Sequence, residues 1–161
     1  MTIIQAQVEH AAIIEDLAKR IWPIAYKNVI SAEQIEYMLK WMYSKETVEK
    51  EIQEGYVYYL AELDGEFVGY AGISILDEKD VKLHKLYRLP DLKCKGIGYH
   101  LLNTCIAQAK AWNREYLILN VNKYNAAVKF YLRNKFAIRK EIVLDIGEGF
   151  VMDDYIMEIK L

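Results

Sequence analysis

Cysteine is scarce in this chain: Cys94 and Cys105 are the only two among 161 residues, and their spacing matches no metal-binding pattern. No metal is therefore expected, and a reduced, cytoplasmic setting is the simplest reading. Excess charge is also lacking. The formal net charge is −2, which argues against a nucleic-acid partner held by bulk positive charge. No run approaches the roughly 20 apolar residues needed to span a bilayer, and Met1 to Val8 has neither the basic nor the long apolar region of a signal peptide. No membrane partner is expected. Internal repeats, low-complexity segments and linkers are missing as well. Proline occurs only at Pro23 and Pro90.

What is present is an ordinary globular mixture, 53% hydrophobic and 27% charged, long enough for one domain spanning residues 1–161. Thr2 to Val8 alternates as a first strand. Ile13, Ile14, Leu17, Ala18 and Ile21 recur at helical spacing over Glu9 to Trp22, and Pro23 should end or bend that helix. Ser31 with Gln34 forms a capping-box signal before Ile35, Met38, Leu39 and Met42. Ser44 can cap a further helix containing Thr47 to Ile52. Tyr56–Glu62 and Glu66–Leu76 flank Asp64-Gly65, a strong hairpin signal.

The stretch that organises the rest is Val81 to Leu102, VKLHKLYRLPDLKCKGIGYHLL. Val81, Leu83, Lys85 and Tyr87 alternate with Lys82, His84, Leu86 and Arg88, which suits a strand. Pro90 ends its ladder, having no N–H to donate. Lys93-Cys94-Lys95-Gly96-Ile97-Gly98 then leads into an apolar-periodic helix through Leu101, Leu102, Cys105, Ile106 and Ala109. A helix start has unpaired amides and about half a positive charge from its dipole. Two glycines let an anion approach those amides, and Lys93 and Lys95 add charge. The glycines could equally serve only a tight turn. No Lys-Ser/Thr pair follows them, so a Walker-type nucleotide site is excluded.

Later, Glu115 to Val121 reads as a short buried strand, reached through a helix and so parallel to the Val81–Arg88 strand. Asn122 to Lys135 has helical spacing at Val128, Tyr131 and Leu132. Ala137–Asp145 and Phe150–Ile159 make a final hairpin around Gly147-Glu148-Gly149.

Leu86-Tyr87-Arg88-Leu89-Pro90 followed by Lys93-Cys94-Lys95-Gly96-Ile97-Gly98 resembles the acetyl-CoA signature of the GNAT superfamily of N-acetyltransferases. Lys93 stands where Gln or Arg is usual, and Cys94 where Gly is usual. Asn122 to Phe136 resembles the family's second signature, with Lys135 in place of the usual Gly. The phrases IWPIAY and ISAEQIEYML are more loosely similar to the bacterial branch with PaiA-like polyamine acetyltransferases.

The resemblance implies an α/β (α+β) fold: a mixed, mostly antiparallel sheet of six to seven strands, a splayed central strand pair and helices on both faces. It implies acetyl-CoA as co-substrate, held by Leu86, Tyr87, Arg88, Lys93, Cys94, Lys95, Gly96, Ile97, Gly98, Tyr99, Asn120, Asn125 and Tyr131. A backbone N–H near Arg88 would polarise the thioester. Tyr131 would protonate the departing thiolate. His84 is the candidate base, since an ordinary imidazole titrates near pH 6.5; a purely structural histidine is the alternative. Trp22, Tyr26, Tyr37 and Asp154 are the candidate acceptor contacts. Trp22, Tyr26 and Tyr37, with Trp41 and Tyr43, would supply rings for cation–π contact. The expected acceptor is a small primary amine such as a polyamine, with a protein or peptide amine, or a weakly catalytic acetyl-CoA-binding module, as alternatives. A homodimer is compatible with the sequence, which does not set the oligomeric state.

Overall fold

A computed structural model describes residues 1–161. Its elements in chain order are β1 (Thr2–Gln5), α1 (Ala11–Ala25), α2 (Ala32–Tyr43), α3 (Lys45–Gln53), β2 (Val57–Leu63), β3 (Glu66–Ile75), β4 (Asp80–Arg88), α4 (Ile97–Ala111), β5 (Tyr116–Asn122), α5 (Ala127–Arg133), β6 (Ala137–Gly147) and β7 (Phe150–Lys160). Seven strands form one sheet in the order β1-β2-β3-β4-β5-β7-β6. All neighbours are antiparallel except β4 and β5. This is the mixed, mostly antiparallel sheet expected.

The sheet separates two cores. On one face α4 buries Ile97, Leu101, Leu102, Cys105 and Ala109 against Val81, Leu83, Leu117 and Leu119, and Tyr131 of α5 joins them. On the other, α1, α2 and α3 bury Ile14, Leu17, Trp22, Met38, Tyr43 and Val48 against Tyr58, Leu60 and Tyr70. Of the strands covered on both faces, β2, β3 and β5 read as largely apolar runs, whereas β4 interleaves Lys82, His84 and Lys85 with apolar residues.

Local chemistry explains the boundaries. Ser31 accepts the Gln34 amide at 3.1 Å and Ser44 the Thr47 amide at 3.3 Å, so both serines cap, but the box at Ser31 is not completed: the Gln34 side chain donates to the Val151 carbonyl at 2.8 Å instead of reaching back. Pro23 does not end α1. It lies on the solvent face one turn from the helix end, where its missing N–H costs a single bond, and Ala25 is the last helical residue. The first strand stops at Gln5, and Val8–His10 forms one 3-10 turn. The helix expected over Asn122–Lys135 starts later. β5 extends to Asn122, and two Asx turns follow: Asn122 Oδ1 accepts the Tyr124 amide at 2.9 Å, and Asn125 Oδ1 accepts the Ala127 amide at 2.8 Å.

The largest departure from the sequence pattern is in β4. Gly72 pairs with Lys85 and Ile73 with Leu83, leaving His84 as an extra residue, a β-bulge. The bulge inverts the alternation. Val81, Leu83 and Leu86 face the α4 core, whereas Lys85 and Tyr87 face the α1–α3 core. The four residues that alternate in sequence therefore do not share a face.

Candidate active site

The β4–β5 pairing lasts only from Asp80↔Tyr116 to Leu83↔Leu119. Beyond it the strands diverge, while β5 stays bonded to β7 as far as Asn122↔Asp154. The amides and carbonyls of β4 from the bulge onward that point toward β5 thus have no strand partner there. Three concavities meet at this gap. A cleft of about 760 Å³ runs along Leu86, Arg88, Lys93, Gly96, Gly98 and Tyr131. A narrow passage of about 30 Å³ crosses the gap between Leu86, Asn120, Asn125 and Tyr131. A cavity of about 330 Å³ opens on the opposite face, lined by Trp22, Met38, Lys82, His84, Asn120 and Asp154 among others. Tyr87 borders all three; the passage also shares Leu86 and Tyr131 with the cleft and His84 and Asn120 with the cavity, so the three adjoin one another across the sheet.

At the first cleft the chain exposes its own backbone. Gly96 caps α4 at φ 91°, a left-handed geometry that glycine enters without strain. No side chain caps the helix, and its first turn holds no acidic residue. The amides from Lys93 to Tyr99 receive no acceptor from the protein. A row of free amides at a helix N-terminus, beside two lysines, is an anion cradle. Ile97 is fully buried, which contributes about 1.5–3 kcal/mol and roots the helix start in the core; its amide, not its side chain, belongs to the cradle. A Cβ on Gly98 would meet only the Phe130 ring, at 3.7 Å, so the glycine leaves open space that the fold does not require. The Arg88 guanidinium donates to the carbonyls of Leu89 at 2.8 Å and Pro90 at 3.2 Å, holding the turn that leads to the cradle. Lys93, Cys94, Lys95 and Tyr99 line the same cleft. Asn125 sits in the passage, and Asn120 borders the passage and the acceptor-side cavity rather than the cradle.

Tyr131 is buried between Phe130 and Phe136 and borders both the cleft and the passage. Burial pushes its phenol well above the ordinary range, so it stays protonated at neutral pH. Lys135, just past α5, takes φ 68°, the left-handed geometry for which glycine is usual at that place.

The acceptor-side cavity has aromatic and methionine walls. Trp22 stacks on Tyr26 at 4.4 Å, and the Tyr26 and Tyr87 hydroxyls lie 2.8 Å apart. Tyr37 lies outside this cavity: its hydroxyl donates to the Ile146 carbonyl at 2.7 Å and its ring packs on Phe150. Tyr43 is buried in the core, and Trp41 stands half-exposed at the rim. The five rings singled out from the sequence therefore do not close a single cage. His84 lies 2.8 Å from the Ser74 hydroxyl and stacks on Tyr56 at 4.6 Å. Burial, with Lys82 and Lys85 nearby, pushes its pKa down to about 3, so the ring is neutral and a weak base. Asp154 moves the other way. Its carboxyl is buried at 1% exposure beside Asn120, and burial raises its pKa to about 6. Its Oδ2 and the Asn120 Oδ1 lack hydrogen-bond partners.

Two further cavity residues escaped the sequence reading. Lys85 is 2% exposed, bonds Glu51 at 2.5 Å and Tyr58, and lies over the Tyr43 ring. Lys82 lines the cavity with no ion pair, and burial lowers its pKa. Lysines set between apolar residues of β4 were the available signal, but the groups around them come from distant elements.

Against known proteins, residues 14–136 match the acetyltransferase (GNAT) family model. The chain belongs to the GNAT family. It is 35% identical over 95 residues to an uncharacterised N-acetyltransferase of Mycobacterium tuberculosis, a match covering 58% of this chain and 60% of that relative's length. The chain thus spans about 60% of the curated relatives it first matches. Its structure resembles that of a PaiA N-acetyltransferase from Thermoplasma acidophilum in complex with coenzyme A, at 25% identity and TM-score 0.83, covering 100% of both chains. It also shares its fold with the Salmonella typhimurium yncA protein in its structure with acetyl-CoA, at 20% identity and TM-score 0.69, covering 100% of this chain and 94% of that one. No helix of the chain is long and apolar enough to cross a membrane.

Proposed function

We propose that the protein is an acetyl-CoA-dependent N-acetyltransferase acting on the primary amine of a small molecule, a polyamine being one such amine. The observation that carries this reading is the succession of adjoining concavities from a helix-start cradle of free amides, past Tyr131, to a cavity containing a buried carboxylate. The residues present fit the co-substrate: the amides of Lys93 to Tyr99 would take its diphosphate, and the open edge of β4 would hold its pantetheine arm by strand-like bonds. Acetyl-CoA supplies the acyl group as a thioester. Asp154 takes a proton from the incoming ammonium, leaving a neutral amine free to attack. An unpartnered β4 amide near Arg88 polarises the carbonyl. As the C–N bond forms and the C–S bond breaks, the Tyr131 phenol gives its proton to the thiolate, and the nitrogen, becoming an amide, loses its second proton to solvent. Solvent then restores both residues, and one proton is released per turnover. His84 stays neutral, supports the cavity wall and leaves the base role to Asp154.

Release of free thiol from acetyl-CoA with a panel of amines tests the reading. Amine-dependent thiol release supports it. Tight binding of acetyl-CoA with no turnover on any amine would instead make the protein a binding module.

A further inference from the structure

The acceptor-side cavity holds two charged groups that nothing in the protein joins. Lys82 enters it from β4 and makes neither an ion pair nor a hydrogen bond. Asp154 enters from β7, almost fully buried, with Oδ2 unpartnered. Each lies within the other's field, yet they are not in contact. The remaining charges around the cavity are occupied. Lys85 is neutralised by Glu51, and Asp145 accepts the Gly147 amide at 2.8 Å. A half-buried ammonium and a buried carboxylate left apart are costly. A ligand touching both recovers that cost, whereas a ligand of one sign relieves one group and burdens the other. Additional ammonium groups, as on a polyamine, would sit beside Lys82 in a medium that screens like charges far less than water does. Much of the remaining cavity lining is apolar: Trp22, Met38, Met42, Leu144 and Met152. Methionine walls adapt to side chains of varied shape.

Resting on the N-acetyltransferase reading above, we propose that the acceptor is a small zwitterion, an α-amino acid with an apolar side chain, its carboxylate docked on Lys82 and its amine presented by Asp154 with Asn120 Oδ1 as second acceptor. Lys82 is then the residue that sets specificity, and the transferred acetyl group ends on the α-nitrogen.

The test follows thiol release from acetyl-CoA with L-methionine, L-leucine and L-phenylalanine, each beside its decarboxylated amine and its amide, and with spermidine. The wild type should favour each amino acid over its decarboxylated amine by about ten- to a hundredfold in kcat/KM, the range of one charge-assisted contact. Lys82→Met should erase that ratio, Lys82→Arg should keep most of it, and Lys82→Glu should turn preference toward spermidine. Unchanged acetyl-CoA affinity shows that each variant is folded. Should the wild type use the decarboxylated amines, the amides or spermidine as well as the amino acids, the zwitterion proposal is overturned while the N-acetyltransferase reading stands. Thiol release from none of these compounds, with acetyl-CoA still bound, overturns both.

Discussion

Removing the buried carboxylate, Asp154→Asn, should change the shape of the pH–rate profile and not merely its height. Burial pushes the Asp154 carboxyl up from the ordinary aspartate range to about 6. If Asp154 takes the proton of a bound ammonium, the reactive pair is ionised enzyme with protonated amine. For the wild type, kcat/KM should then climb about tenfold between pH 5 and 7 and level off above it, because a group titrating near 6 is about a tenth ionised at pH 5. The variant has no internal acceptor and must wait for amine already neutral in solution. Its kcat/KM should keep rising with unit slope toward the amine's own pKa. For an amine titrating near 10 the deficit is then roughly a thousandfold at pH 7 and shrinks to about tenfold at pH 9. Thiol release at limiting amine concentration, buffered from pH 5 to 9.5, measures this. A variant that retains the wild-type plateau above pH 6 would refute the assignment of the proton to Asp154.

Tyr131→Phe keeps the ring between Phe130 and Phe136 but removes the acid; kcat should fall by about 10²- to 10⁴-fold with acetyl-CoA affinity little changed, and an unaltered kcat would remove Tyr131 from the chemistry. Lys135→Gly relieves a side chain held at φ 68° and should stabilise the fold by about 0.5–1 kcal/mol, read as a rise in Tm of roughly 1–4 °C; a lower Tm contradicts it. Because the folded-state pKa of His84 is near 3, below its ordinary 6.5, its contribution to stability is complete above pH 6.5. That contribution is lost as pH falls toward 3, by at most about 1.4 kcal/mol per pH unit. His84→Asn should flatten this acid slope in urea titrations at pH 4 and 6; an equally steep slope in the variant places the titrating group elsewhere.

Features legible in the sequence are those set by neighbours along the chain. Glycines before a periodic helix announced the cradle, and Ser31 and Ser44 marked helix starts because a cap is satisfied within three residues. Features set by partners across the sheet were not legible. The bulge at His84 exists only as a mismatch of register with β3, so the apparent alternation from Val81 to Tyr87 concealed a change of face. Asn122 and Asn125 looked helical by spacing, yet their side chains bond the backbone two residues on and delay α5. Asp154 comes beside Asn120, and within the field of Lys82 without touching it, only because β7 lies beside β5 in the sheet, and the Lys85–Glu51 pair joins α3 to β4. The pKa values that separate Asp154 from His84 as base candidates follow from that long-range burial.

If the α4 amides seat the diphosphate, CoA binding requires open space at Gly98, and calorimetry of CoA binding to Gly98→Glu and Gly98→Ala tests that directly. The space at Gly98 admits a Cβ, so both variants should fold. The account predicts that Gly98→Ala still binds CoA, whereas Gly98→Glu, which sets a carboxylate against the phosphates, does not. CoA affinity in Gly98→Glu equal to that of the wild type would contradict it.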